Sequence, residues 1–204
     1  MIVDRLWLAS TSPRRHQLLR EAGVPFEVIA PLIDDGLLDP RAVDPRAWVM
    51  ALAWLKARDV AQRLWADGVR DGLVMAADTV CAHAGGILGQ PADIEAARAM
   101  LQRMRNGAHT TISGVAVLSL WDGRRLITRD ATTVTMGDIG DAEIDRYLAG
   151  GTWRGKAGAY NLAERLDDGW PITCIGDPTT VMGLPMQRLP RWIRAFRSPS
   201  GAGA

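Results

Sequence analysis

The side chains able to do chemistry fall in four short stretches: Ser10-Thr11-Ser12-Pro13-Arg14-Arg15, Asp34-Asp35, Asp78-Thr79 and Gly155-Lys156, with Lys56 standing alone among them. The first stretch is the most informative. Arg5-Leu6-Trp7-Leu8-Ala9 reads as a strand, and His16-Gln17-Leu18-Leu19-Arg20 continues a helix with its leucines on one face. Ser12 suits the N-cap and Pro13 the first helical position. Arg14 and Arg15 then sit in the first turn, against the positive end of the helix dipole, where cations are unfavourable without a bound anion. Free backbone N–H groups, hydroxyls and two guanidinium forks suit a polyphosphate or a carboxylate. A well-capped helix with two solvated arginines accounts for the same pattern, and the local sequence does not choose between them.

Gly72-Leu73-Val74-Met75-Ala76-Ala77 is a small, apolar run of the kind found in buried strands, and it ends at Asp78-Thr79. An unpaired carboxylate there is costly, so Asp78 reads as a working residue rather than a turn cap. If the stretches converge, Arg14, Arg15, Lys56 and Lys156 face Asp34, Asp35 and Asp78. Those carboxylates would repel a polyphosphate unless they hold Mg²⁺, which bridges acid to phosphate. Water attack on phosphorus needs this kind of positioning and charge neutralisation. Of the 24 lysines and arginines only two are lysine. In a chain that uses arginine for general charge, Lys56 and Lys156 are marked for places needing a compact ammonium.

Other chemistries lack their residues. There is no Gly-x-x-x-x-Gly-Lys-Ser/Thr loop and no Gly-x-Ser-x-Gly elbow. His16 reads as lying on the solvent face of the first helix and His109 at a strand start, so a histidine-based triad is thinly supported. Cys81 and Cys174 have no metal-ligand spacing, and Cys81-Ala82-His83 reads as a buried thiol beside a loop histidine. The eight tryptophans are scattered at core spacing and read as packing residues.

The elements that must position these residues alternate helix and strand through the first half. Phe26–Ala30 reads as a second strand, Leu32–Gly36 as an acidic loop, and Pro45–Trp65 as a long amphipathic helix carrying Lys56. Val80–Leu88 suits a short hairpin turning at Ala84-Gly85-Gly86, and Asp93 caps a helix from Ile94 to about Arg105. His109–Leu120 and Arg125–Met136 flank Trp121-Asp122-Gly123 as a long hairpin. Asp141–Ala149 is a short helix, and Gly150–Tyr160 is a glycine-rich loop. Pro171–Ile175 is a strand, Thr179 opens a turn that breaks at Gly183, and a final helix runs from Pro185 to Phe196. This order predicts a mixed α/β domain with a cleft.

A chain of 204 residues with a net charge of +1 supports neither a nucleic-acid polymer nor a membrane surface as partner. No apolar run is long enough to span a bilayer and no basic-then-apolar leader opens the sequence, which predicts a cytoplasmic protein.

Leu8-Ala9-Ser10-Thr11-Ser12-Pro13-Arg14-Arg15, then Ala77-Asp78-Thr79-Val80 with Gly86-Ile87-Leu88-Gly89-Gln90-Pro91, then Gly155-Lys156-Ala157-Gly158-Ala159-Tyr160 and Gly183-Leu184-Pro185 resemble, in that order, the motifs of the Maf family of nucleotide pyrophosphatases. The resemblance covers nearly the whole chain. It implies an α/β fold, with an elongated twisted mixed sheet flanked by helices around a central cleft, as in the inosine-triphosphate pyrophosphatases. It implies one domain over residues 1–197; residues 198–204, small and polar, read as a flexible tail. It implies a homodimer that hydrolyses nucleoside triphosphates, pyrimidine or modified, to monophosphate and pyrophosphate with a divalent metal, Mg²⁺ ahead of Mn²⁺. Asp78 then matches the catalytic acid, as general base or metal-site carboxylate. Arg14 and Arg15, with Ser12 beside them, match the phosphate-binding positions. Lys56, Thr79 and Lys156 fall on substrate-binding positions, and Asp34-Asp35 stands where the family has Asp-Glu and would join Asp78 at the metal.

Three departures bear on specificity. Gln90 replaces a lysine of Gly-Lys-Pro. Asn161-Leu162-Ala163-Glu164 replaces Gly-Ile-Gln-Gly, so Ala163 stands where the family's pyrimidine-associated glutamine falls. Gly176-Asp177-Pro178 before Gly183-Leu184-Pro185 resembles the subgroup acting on methylated guanine nucleotides. The alternative reading is a nucleotide-binding regulator of cell division with little turnover.

Overall fold

The computed structural model describes residues 5–33, 43–84 and 86–196. In chain order its elements are β1 (Leu6–Leu8), α1 (Pro13–Glu21), β2 (Glu27–Val28), α2 (Pro45–Ala66), β3 (Leu73–His83), β4 (Gly86–Leu88), α3 (Ile94–Met104), β5 (Gly107–Ser119), β6 (Arg125–Met136), α4 (Asp141–Ala149), a single 3-10 turn (Ala157–Ala159), α5 (Leu162–Asp167), β7 (Ile172–Ile175), α6 (Pro178–Val181) and α7 (Leu189–Arg194). The expected α/β class is what forms. Seven strands make one mixed sheet in the order β2-β1-β3-β5-β6-β7, with β4 added to β3.

β1 lies parallel to β2 and to β3, and the remaining ladders are antiparallel. One edge of β3 is met twice: by β1 over Leu73–Met75 and by β4 over Cys81–His83. Among the described residues no strand pairs that edge between these two contacts. The chain leaves β1 there, with Ala9 N–H donating to the Met75 carbonyl at 2.8 Å, and Asp78 and Thr79 lie in the gap.

Alternate residues of β3 face opposite sides of the sheet. Val74 and Ala76 pack with Trp7, Ala116 and the apolar stripe Ala53, Ala57, Val60, Ala61 and Leu64 of α2. Met75 and Ala77 pack on the other face with Leu18 and Leu19 of α1 and Leu189 and Ile193 of α7. Further along that second face, Cys81 joins Val134, Met136 and Ile172 under α3 and α4. The sheet thus carries one long helix on one side and two groups of helices on the other. Asp44 caps α2, accepting from Arg46 N–H at 2.7 Å, with Pro45 at its first turn.

The structure corrects four expectations. β3 does not end at Asp78-Thr79. Its ladder with β5 continues from Leu73↔Ser119 to Ala82↔Thr110, so Asp78 is a mid-strand residue, and the expected hairpin forms with the end of β3 as its first arm, Cys81–His83 pairing antiparallel with Gly86–Leu88. The second strand contracts to Glu27–Val28. The last helix begins at Leu189 rather than Pro185, because Thr179 Oγ1 and Asp177 Oδ2 accept from Met186 and Gln187 N–H and hold the chain in a turn. His16 is half-buried, donating from Nε2 to the Ser10 carbonyl at 2.9 Å and packing on Phe26, because the Ser10 loop folds back over α1. α5 forms where the sequence analysis expects no helix. Among the described residues no helix is long and apolar enough to cross a membrane.

Candidate active site

A cleft of about 550 Å³ opens along the edge of β3 between its pairings with β1 and β4, where none of the described residues forms a strand partner. Its wall includes Ser10, Ser12, Arg14 and Arg15 from the β1–α1 turn, Lys56 from α2, Asp78 and Thr79 from β3, Gln90 after β4, and Lys156 from the glycine-rich loop. The convergence assumed from the sequence is therefore present for these residues. Ala163 is the exception: its neighbours Asn161 and Leu162 line the cleft and it does not. Asp34 and Asp35 lie outside the described residues, as do the proposed tail at 198–204 and Gly85 of the expected turn.

Lys56 and Asp78 meet from two elements. Nζ donates to Oδ1 at 2.7 Å, and each side chain is 12% exposed. A charge-assisted bond this short in a partly desolvated place is among the stronger polar contacts a protein makes. It exists because α2 lies unusually close to the sheet. In the β3–β5 ladder Asp78 stands opposite Gly114, and a Cβ on Gly114 would come within 2.3 Å of the Val49 carbonyl oxygen of α2.

Arg15 is held on the other side of the gap. Nε donates to the Gly183 carbonyl at 2.9 Å, Nη1 to Ser10 Oγ at 3.2 Å and Nη2 to Thr79 Oγ1 at 3.2 Å. Gly183 has φ +107, and a Cβ there would meet Arg15 Nε at 3.2 Å, so only glycine suits the close approach. Arg14 donates from Nη2 to Asn161 Oδ1 at 3.0 Å, reaching across to the cap of α5. Ser12 Oγ accepts the N-capping bond from Arg15 N–H at 3.5 Å. The two arginines thus sit at the positive end of α1 with carbonyl, hydroxyl and amide oxygens spreading their charge.

Lys156 is paired with Glu164 of α5 at 2.6 Å. Sequence reasoning passed over Glu164 and Asn161, although Asn161-x-x-Glu164 has the spacing of a capping box and Asn161 Oδ1 does accept from Glu164 N–H at 3.3 Å. Gly158, at φ +72, brings the Lys156 loop against Cys81, where a Cβ would lie 3.3 Å from Sγ. Gly158 N–H donates to the Gly89 carbonyl at 3.1 Å, which ties the loop to the residue before Gln90.

The deep end is a buried polar group. Tyr160 Oη meets His109 Nε2 at 2.7 Å and Thr111 stands beside it. Burial, reinforced by His83, lowers the His109 pKa to about 4, so the ring is neutral at pH 7. Burial likewise pushes the Cys81 thiol up to about 12 and raises the Tyr160 hydroxyl well above its usual value. Cys81 and Tyr160 therefore stay protonated at neutral pH, and neither supplies an anionic nucleophile.

The described residues contain no group of three or more His, Cys, Asp or Glu side chains placed to hold a metal on their own. Mg²⁺ commonly takes one or two carboxylates together with substrate phosphates rather than a cage made wholly of protein. Asp78, a hard oxygen donor in a cationic cleft, fits that mode.

A mixed sheet opened at one strand edge, with cations and a carboxylate meeting in the gap, describes an anion-processing α/β protein. The family profile described as Maf-like protein matches residues 5–196, and this chain belongs to the Maf family. It is 40% identical over 190 residues to the dTTP/UTP pyrophosphatase of Salinibacter ruber, covering 93% of this chain and 90% of that one. It is 36% identical over 187 residues to the dTTP/UTP pyrophosphatase of Alkaliphilus metalliredigens, covering 92% and 93%. It is 34% identical over 204 residues to that of Symbiobacterium thermophilum, covering 98% and 100%.

Proposed function

We propose that this protein is a nucleoside triphosphate pyrophosphatase that hydrolyses dTTP and UTP to the monophosphate and pyrophosphate. The observation that carries the reading is the convergence of Arg14, Arg15, Lys56, Lys156 and Asp78 on one cleft of about 550 Å³. A folded triphosphate needs several cations along its length, and a cleft of this volume takes a nucleotide. The relatives' dTTP/UTP activity supports the choice of substrate. Gln90, in place of a lysine, offers an amide able both to donate and to accept at a pyrimidine edge.

In this reading Arg14, Arg15 and Lys156 bind and orient the phosphates, and the Ser12 hydroxyl at the positive end of α1 adds to them. Asp78, oriented by Lys56, accepts a proton from the attacking water. The water oxygen bonds to the α-phosphorus, the bond from that phosphorus to the bridging oxygen breaks, and pyrophosphate leaves with the electron pair. Asp78 together with the substrate phosphates would hold Mg²⁺, with Mn²⁺ as substitute, and the ion would supply charge neutralisation. Asp34 and Asp35 complete the proposed metal set, and a cytoplasmic homodimer is the proposed state.

The test is a pyrophosphate-release assay on dTTP, UTP and the other common and modified nucleoside triphosphates with Mg²⁺ or Mn²⁺. Release of pyrophosphate, lost in Asp78→Asn, is expected. Release of orthophosphate alone, or no release by folded protein, overturns the reading.

A further inference from the structure

We propose that Ser113, a residue that does not reach the cleft, positions Arg15 for phosphate through a one-way chain of hydrogen bonds. The proposal rests on the cleft binding phosphate and deepens that reading. Ser113 is fully buried on β5 and pairs with Thr79 in the β3–β5 ladder. Its Oγ lies 2.7 Å from the Thr180 carbonyl oxygen and 2.7 Å from Thr79 Oγ1.

The directions of these bonds follow from counting protons. A carbonyl oxygen can only accept, and a serine hydroxyl has one proton. That proton is therefore committed to Thr180, so Thr79 must donate to Ser113. Thr79 then faces Arg15 with lone pairs alone, as the Nη2–H bond at 3.2 Å requires. The chain runs from the Arg15 guanidinium through Thr79 and Ser113 to the Thr180 carbonyl, and it runs in one direction.

Its far end is anchored. Thr180 Oγ1 donates to Asp130 Oδ2 at 2.7 Å, and Arg188 Nε donates to Asp130 Oδ1 at 2.5 Å. The Thr180 carbonyl also accepts from Gly183 N–H at 3.1 Å, and the Gly183 carbonyl in turn accepts from Arg15 Nε. Two arms from one turn therefore grip two edges of the same guanidinium. Without Ser113 the Thr79 hydroxyl can rotate and present its proton to Arg15, turning an acceptor into a repelling donor.

The experiment measures binding of inorganic pyrophosphate by calorimetry in wild type, Ser113→Ala, Thr79→Val and the double variant. Loss of a preorganised side chain is expected to weaken binding by about three- to tenfold in Ser113→Ala. In the Thr79→Val background, where the chain is already cut, Ser113→Ala is expected to cost nothing more. A factor that is equally large in both backgrounds would mean a purely structural role and would overturn the proposal. Unchanged affinity in folded Ser113→Ala would overturn it too. Ser113→Cys, nearly isosteric and a weaker donor, gives the same cycle if the alanine variant does not fold. Because binding needs no turnover, a wild type that binds pyrophosphate but hydrolyses no nucleotide defeats the enzymatic reading and leaves this test intact.

Discussion

Asp78 and Gly114 face each other across the β3–β5 ladder, and the missing side chain of one lets the other be used. Gly114 leaves room for the Val49 carbonyl of α2 to press on the sheet, where a Cβ would sit 2.3 Å away. Pressed that close, α2 delivers Lys56 to Asp78 at 2.7 Å two turns further on. Strand pairing, helix packing and the charged centre of the cleft are thus coupled through a position that carries no functional group.

Gly114→Ala is expected to damage both stability and chemistry. The atoms it would meet are backbone, so the helix must shift. Overpacking of this kind costs about 1–3 kcal/mol. Urea unfolding reads that loss. The pyrophosphate-release rate should fall further than the reduced folded fraction explains, because Lys56 moves with α2. A variant with wild-type stability and turnover would show that the close approach does not matter.

Asp78→Asn keeps shape and hydrogen-bonding capacity while removing the charge. Turnover is expected to fall by about 10²–10⁴, the range for loss of a positioned base. Nucleotide affinity measured by calorimetry without divalent metal should hold or improve, since a carboxylate beside the phosphates is gone. Equal loss of binding and turnover would instead mark Asp78 as a residue that only shapes the cleft.

The parts of this site that are legible in the sequence are those that break a pattern. Asp78 interrupts an apolar run, Arg14 and Arg15 stand at the wrong end of a helix, and two lysines stand out among arginines. The continuation of β3 is hidden because the residue that satisfies Asp78 is 22 positions away on another element. α5 is hidden because its six residues are held by contacts remote in sequence, such as Arg14 on Asn161 and Arg165 stacked over Tyr147 and Trp170. The late start of α7 depends on Thr179 and Asp177 capturing backbone N–H groups seven and ten residues on. Beyond the Asn161-x-x-Glu164 spacing, local pattern carries none of these.

Glu164→Gln tests the charge balance at the other rim. Glu164 holds Lys156 at 2.6 Å and is half-exposed, so it competes with phosphate for the ammonium without contributing much to stability. The variant is expected to lower KM for the triphosphate several-fold at low salt, with the gain shrinking as ionic strength rises. A raised KM would mean that Glu164 serves to aim Lys156 rather than to restrain it.

The buried His109 contributes to the acid sensitivity of the fold. Its pKa is lowered to about 4 by burial, with His83 adding to the shift, against an unfolded value near 6.5. Between these values the unfolded chain binds more protons than the folded one, so stability rises with pH through that window. The contribution is fully present above pH 6.5 and is lost progressively as pH falls toward 4. Its ceiling is about 3 kcal/mol at 1.36 kcal/mol per unit. Urea midpoints measured from pH 7 to pH 4 should therefore fall steeply in wild type. In His109→Gln, which keeps a polar partner for the Tyr160 hydroxyl but cannot take up a proton, the same series should be flatter. An unchanged slope would place the acid sensitivity in the carboxylates and remove His109 from it.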